Sequence, residues 1–253
     1  MNNSILILGD SGTGKSTSFR NLPASETFVI NVLNKPLPFR GSTKKFTALS
    51  KDGMTGNYYT TDKGDVIKRV INLVNTKRPE IKYLIIDDFG YVAMNAYMNS
   101  IRLKGFDKFN EIGEEFKLAS ELFNKLRDDL FCIVTMHIET DAQGKTKPKT
   151  IGNVIDKHIT VEGRFTHVFH TYVSDRGFKF ITNNDGLHMA KSPMGLFDDL
   201  YIDNDMLEIA NKINEYNNEV EDEAEEFVAD HEVAEDLPKE SGDKNPDEED
   251  ISK

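Results

Sequence analysis

Apolar runs alternate with amphipathic stretches along most of this chain. Ser4–Leu8 is a short apolar run that stops at Gly9, and it predicts a buried first strand. Residues 27–32 (Thr-Phe-Val-Ile-Asn-Val) are β-branched and aromatic and predict a second. Residues 83–86 predict a third, closed by Asp87-Asp88, and residues 130–136 and 166–173 a fourth and a fifth. Residues 178–182 can pair with the fifth across the turn Asp175-Arg176-Gly177. Between these runs the period changes. Apolar residues at 66, 67, 70, 71 and 74 predict a helix over 65–75 with Asp65 as its N-cap. Ile112, Phe116, Ala119, Leu122, Phe123 and Leu126 share one face of a helix over 112–127, and 207–216 reads as a last helix. Strands alternating with helices predict an α/β fold, a mostly parallel sheet flanked by helices with a C-terminal β-hairpin. Residues 34–63 are polar and rich in turn residues.

Charge sharpens the domain picture. The net charge is −12, but residues 219–253 alone hold 16 Asp/Glu and 3 Lys, leaving 27 acidic and 28 basic residues before them. The acidity therefore belongs to the tail, and an acidic average does not exclude a nucleic-acid partner for the rest. The expected organisation is a nucleotide-binding domain over 1–205, a C-terminal helix over 206–218 and a disordered acidic tail over 219–253, too poor in large apolar groups to offset ordering entropy. No run is apolar enough to span a bilayer, and Met1-Asn2-Asn3-Ser4 lacks the basic flank of a signal peptide. The single Cys132 allows no internal disulfide, and it sits in an apolar run where a buried, inert thiol is expected. These features together predict a cytoplasmic protein with no membrane association.

The chemistry begins where the first strand ends. Gly9-Asp10-Ser11-Gly12-Thr13-Gly14-Lys15-Ser16 fits the phosphate-binding pattern G-x-x-x-x-G-K-[ST], followed by Thr17. Glycines let such a loop fold its N–H groups onto phosphates, and a helix starting near Lys15 would add its positive end. Lys15 is expected to reach the β- and γ-phosphates of ATP, and the Ser16 hydroxyl to ligate Mg2+. The third predicted strand delivers Asp87, expected to hold the Mg2+ shell, and Asp88, the candidate base for the attacking water. His137, at the tip of the fourth strand, is placed to sense the γ-phosphate. Lys145, Lys147 and Lys149 lie in a polar stretch that reads as a mobile basic loop suited to a nucleic-acid backbone. Phe89, Tyr91, Tyr97, Phe106 and Phe109 could stack on bases, although most aromatics at such spacing belong to a core. Arg164, Arg176 and Lys191 are unranked candidates for a cationic finger, and the histidines at 158, 167, 170 and 188 follow no metal-ligand pattern.

With those motifs in place, the chain resembles the RecA-like P-loop ATP-binding proteins of bacteriophages, the group that includes the Sak-type single-strand annealing ATPases. The resembling segments are Glu26-Thr-Phe-Val-Ile, Lys35-Pro-Leu-Pro-Phe39, Ile86-Asp-Asp-Phe-Gly-Tyr91 and Gly105-Phe-Asp-Lys-Phe-Asn-Glu-Ile-Gly113. They continue in Lys147-Pro-Lys-Thr-Ile-Gly152 and Ala190-Lys-Ser-Pro-Met-Gly-Leu-Phe197. The resemblance implies ATP-dependent work on single-stranded DNA in phage recombination or replication, by annealing or strand exchange, inside an infected bacterial host. It brings a single-strand-binding protein and further copies of the chain as candidate partners. Bacterial RecA carries its catalytic glutamate at the end of the second strand, where this chain has Asn31. Two other readings stay open: an accessory module that uses ATP as a switch without hydrolysis, and an AAA+-like helicase loader.

Overall fold

The computed structural model describes residues 3–100 and 107–230. The chain divides into two units, residues 1–215 and 216–253. The first is built on an eight-stranded sheet. Its strands are β1 (Ser4–Leu8), β2 (Thr27–Asn31), β3 (Tyr58–Thr60), β4 (Tyr83–Asp87), β5 (Phe131–Met136), β8 (His167–Ser174), β9 (Gly177–Ile181) and β10 (Tyr201–Asp203). A separate two-stranded antiparallel hairpin is made by β6 (Ile138–Thr140) and β7 (Thr146–Pro148). The helices are α1 (Ser42–Lys45), α2 (Gly64–Lys77), α3 (Tyr91–Ser100), α4 (Asp107–Ser120), α5 (Asn153–Asp156) and α6 (Met206–Asp230).

Spatial order in the large sheet is β10-β9-β8-β1-β5-β4-β2-β3. From β8 to β3 every pair is parallel; β9 then adds antiparallel to β8, and β10 antiparallel to β9. This is the α/β architecture the alternation predicts: a mostly parallel sheet flanked by helices. Parallel strands put all their C-terminal ends on one edge. The chain runs from β1 out to β2 and fills the gap afterwards with β4 and β5, while β8 joins the other side of β1. The sheet order thus reverses direction at β1, and a crevice at such a switch point is where open α/β sheets bind ligands.

The central strands β1, β2, β4 and β5 are buried along their whole length, which is why they read as continuous apolar runs. Leu6, Leu8, Phe28, Ile30, Leu84, Ile86, Cys132 and Val134 form one face, packed with Ile67, Ile71 and Val74 of α2 and Ile112, Phe116 and Ala119 of α4. Each such aliphatic side chain contributes on the order of 1.5–3 kcal/mol by leaving water. The alternate residues Ile5, Ile7, Val29, Ile85 and Ile133 are equally buried on the opposite face.

Several expectations change. The segment after the glycine-rich loop is a six-residue 3-10 helix, Ser16–Asn21, and not an α-helix; Pro23, two residues on, denies the chain a longer run. Helix α2 begins at Gly64 with Lys63 at the N-cap position, and Asp65 lies within the first turn. Helix α4 ends at Ser120, and residues 121–126 turn. Helix α6 runs to Asp230 and does not stop at 218; residues 219–229 consist of Glu, Ala, Val, Asp and Phe with neither Gly nor Pro to end it. Residues 231–253, the rest of the predicted disordered tail, lie outside the described residues. Among the described residues no helix is long and apolar enough to cross a membrane.

Candidate functional site

Gly9 leaves β1 under a close constraint: a Cβ there would lie 1.7 Å from Thr171 Oγ1 of β8. That hydroxyl donates to Leu8 O (3.1 Å) and meets Thr13 Oγ1 at 2.6 Å, so the loop is pinned to the neighbouring strand. Gly14 has a φ of +101°, and a Cβ there would lie 2.7 Å from Cγ of Phe178. Backbone conformation and steric room both demand glycine at that position. The loop that results turns the Lys15 side chain back on itself. Lys15 Nζ donates to Gly9 O (2.9 Å) and Asp10 O (2.7 Å), and the residue is only 6 % exposed. Burial lowers its pKa, opposed by the charges of Asp88 and Asp87, while the charge of Lys35 adds to the lowering.

Opposite the loop stand the ends of β4 and β5. The Ser16 hydroxyl donates to Asp87 Oδ1 (2.8 Å), and Thr135 Oγ1 donates to the same oxygen (2.9 Å) while accepting from the Asp88 N–H (2.7 Å). The two adjacent carboxylates differ sharply in environment. Asp87 is 1 % exposed; burial and the charge of Asp88 raise its pKa against the Ser16 and Thr135 hydrogen bonds. At Asp88 burial also pushes upward, but hydrogen bonds from His137 and Lys35 and the Lys35 charge outweigh it and leave the carboxyl below its ordinary range. Asp88 adopts φ +62°, a left-handed conformation that Asp tolerates better than most residues. This twist turns its side chain toward an ammonium and an imidazole: Lys35 Nζ lies 2.5 Å from Oδ2, and His137 Nε2 lies 3.5 Å from Oδ1. The Tyr91 ring meets the His137 ring edge-on at 5.9 Å.

Ser11, Gly12, Gly14, Lys15, Ser16 and Thr17 face Lys35, Pro36, Pro38, Asp87, Asp88, His137 and Phe178 across a cleft of about 460 Å³. That volume lies in the range of small-ligand sites. Gly9, Asp10 and Thr13 shape the loop without lining the cleft. A larger cleft of about 590 Å³, beside Lys117, His158 and Arg164, holds none of the phosphate-loop residues.

No family model and no curated protein matches the chain. A solved structure similar to it is the genome-packaging NTPase of Sulfolobus turreted icosahedral virus 2 in complex with ATP-gammaS. Identity is 13 % over 69 % of this chain and 76 % of that one, with a TM-score of 0.36. A likeness that distant says nothing about activity.

Lys35 and Phe178 of the cleft, and Thr135 buried behind Asp87, have no role assigned by the sequence motifs. Thr135 is placed by strand register, because Ile86 pairs with Val134 and so sets Asp87 beside Thr135. Lys35 is delivered by a turn that Asn31 clamps: Asn31 Nδ2 donates to Lys35 O (2.8 Å) and its Oδ1 accepts from Lys35 N–H (3.3 Å). Phe178 arrives from β9, far away in the chain. Only Lys35 carries a sequence signal, the segment Lys35-Pro-Leu-Pro-Phe39.

Other candidates are placed elsewhere. The stretch with Lys145, Lys147 and Lys149 is not a mobile loop but the β6–β7 hairpin. Lys147 Nζ is paired with Glu139 (2.8 Å) and Asp156 (2.9 Å), which together raise its pKa. Lys145 and Lys149 are exposed. Phe89 is a core residue with its ring tilted against Phe116 and edge-on to Phe123, and Tyr91 and Tyr97 pack on the same core. Phe106 and the side chain of Phe109 lie outside the described residues. Arg176 sits at the tip of the β8–β9 hairpin, and neither it, Arg164 nor Lys191 lines the cleft. Among the described residues no three His, Cys, Asp or Glu side chains group as a metal site.

Proposed function

We propose that the chain is a Mg2+-dependent P-loop NTP hydrolase of the RecA-like class, acting on ATP. One observation carries this reading: the Ser16 hydroxyl of the glycine-rich loop is hydrogen-bonded to the strand-end Asp87, beside an ionised Asp88 that faces the same cleft. Ser16 and Asp87 are oxygen donors of the kind Mg2+ accepts. The ion, when bound, would neutralise charge developing on the phosphate oxygens. Lys15 exchanges its two carbonyl partners for β- and γ-phosphate oxygens, a stronger charge-assisted contact. In hydrolysis a water oxygen forms a bond to the γ-phosphorus, the bond to the bridging oxygen breaks, and its electron pair leaves with ADP. The water's proton passes to the Asp88 carboxylate, held in place by His137.

Asp88→Asn keeps a side chain that tolerates the left-handed backbone and removes the proton acceptor. Turnover should fall by roughly 10²-fold or more with ATP binding retained, whereas Asp87→Asn should weaken Mg-ATP binding and turnover together. Parental turnover in Asp88→Asn would assign the base elsewhere, and no turnover in the parent would leave the switch reading.

The finer reading is work on single-stranded DNA, in phage recombination or replication. It is supported by the position of the lysine hairpin: β6 begins immediately after His137, and Lys149 N–H donates to His137 O (2.8 Å). A polymer on Lys145 and Lys149 would lie one hydrogen bond from the residue that touches Asp88.

A further inference from the structure

Lys35 presents a contradiction if Asp88 is the base. An ammonium 2.5 Å from a carboxylate oxygen holds that oxygen in an ion pair and competes with any proton it could accept. Yet the contact is built and not accidental. Buried Asn31 fixes the backbone of Lys35 from both sides, Asn34 takes a left-handed turn with φ +54°, and Pro36 and Pro38 stiffen the segment beyond Lys35. The turn is anchored while the side chain is about half exposed and reaches freely into the cleft. Lys35 also stands close enough for its charge to count against that of Lys15 on the opposite wall. Two ammonium groups facing one cleft, each satisfied by partners it can release, are arranged to receive an anion between them.

We propose that Lys35 is a second catalytic lysine with two positions. With the cleft empty it pairs with Asp88. When a triphosphate enters, its terminal phosphate, carrying more charge than one carboxylate, draws Lys35 away. The same movement frees Asp88 to take the water's proton and adds a cation to the γ-phosphate from within the chain. No other subunit has to supply that charge, and Arg164, Arg176 and Lys191 are not needed for it. A diphosphate lacks the group that draws Lys35 across, so ADP leaves Asp88 covered.

This inference rests on the proposed hydrolase reading, and its test separates the two. Affinities for ATP and ADP and steady-state turnover are measured for the parent, Lys35→Ala, Lys35→Arg and Lys15→Ala. Lys35→Ala should bind ADP within about threefold of the parent, lose most of the preference for ATP over ADP, and lose about 10²-fold or more in turnover, the scale of one missing stabiliser of transition-state charge. Lys35→Arg, which keeps the charge on a longer arm, should recover part of both. If Lys35→Ala keeps the parental turnover and ATP preference, or turns over faster, Lys35 is no catalytic group and the proposal falls while the phosphate-loop reading stands. If Lys15→Ala also binds and hydrolyses ATP normally, the site itself has been misassigned.

Discussion

At the scale of single residues, the site is organised by what each charge can reach. Lys15, Ser16 and Asp87 were legible because local spacing alone carries them: a glycine pattern and the end of an apolar run. Thr135 and Lys35 were not, because their roles arise only when β5 settles beside β4 and when Asn31 ties down a turn. Burial also has a cost that pH should expose. His167 is 3 % exposed and its pKa is lowered to about 4 by burial and then by the Lys191 charge; among the described residues its Nδ1 has no hydrogen-bond partner. Because the folded pKa is depressed, the unfolded chain takes up a proton below about pH 6.5 that the folded protein refuses until about pH 4. Stability should therefore be full above that window and fall as pH drops through it, by up to about 3 kcal/mol from this residue. Replacing it as His167→Phe should remove that share, so urea midpoints at pH 7.5 and pH 5 should differ less in the variant than in the parent. An unchanged difference between the two midpoints would mean that His167 does not couple folding to protons.

Elements were legible in proportion to their length and burial. The four central strands are continuous apolar runs and α2 repeats at helical spacing, so sequence placed them within a few residues, whereas the helix expected over 112–127 is α4 at Asp107–Ser120. Strands β3, β7 and β10 are three residues each and every one includes a Thr, Lys or Asp, with nothing to set them apart from loops. The hairpin β6–β7 shows the consequence. Three lysines in five residues suggested a single basic surface, but folding turns Lys147 onto Glu139 and Asp156 and leaves Lys145 and Lys149 outward. Under the proposed single-stranded DNA reading, Lys145→Ala with Lys149→Ala should weaken that binding and flatten its salt dependence by about 0.7 per lost phosphate contact. Lys147→Ala should leave that slope alone. Measuring affinity across a salt series would decide it, and an equal loss of slope from Lys147→Ala would contradict this division of roles.

At the scale of the whole molecule, a parallel sheet explains why residues distant in sequence share one cleft. Loop, Asp87-Asp88, Asn31 and His137 stand at the C-terminal ends of four adjacent strands, and the order reversal at β1 leaves the space between them open. Cys132 lies on β5 in the middle of this sheet, 1 % exposed, its thiol pushed up to about 12 by burial, so it should resist thiol reagents until the sheet opens. That gives a check on folding for any variant. The claim on which everything else depends is that Lys15 binds the phosphates of a nucleotide, and the most direct measurement is a titration of parent and Lys15→Ala with Mg-ATP. The parent should bind and Lys15→Ala should bind at least about 100-fold more weakly, as expected when a charge-assisted phosphate contact and its alignment are lost, while Cys132 remains protected in both. Equal affinity in two proteins with equally protected Cys132 would contradict the account.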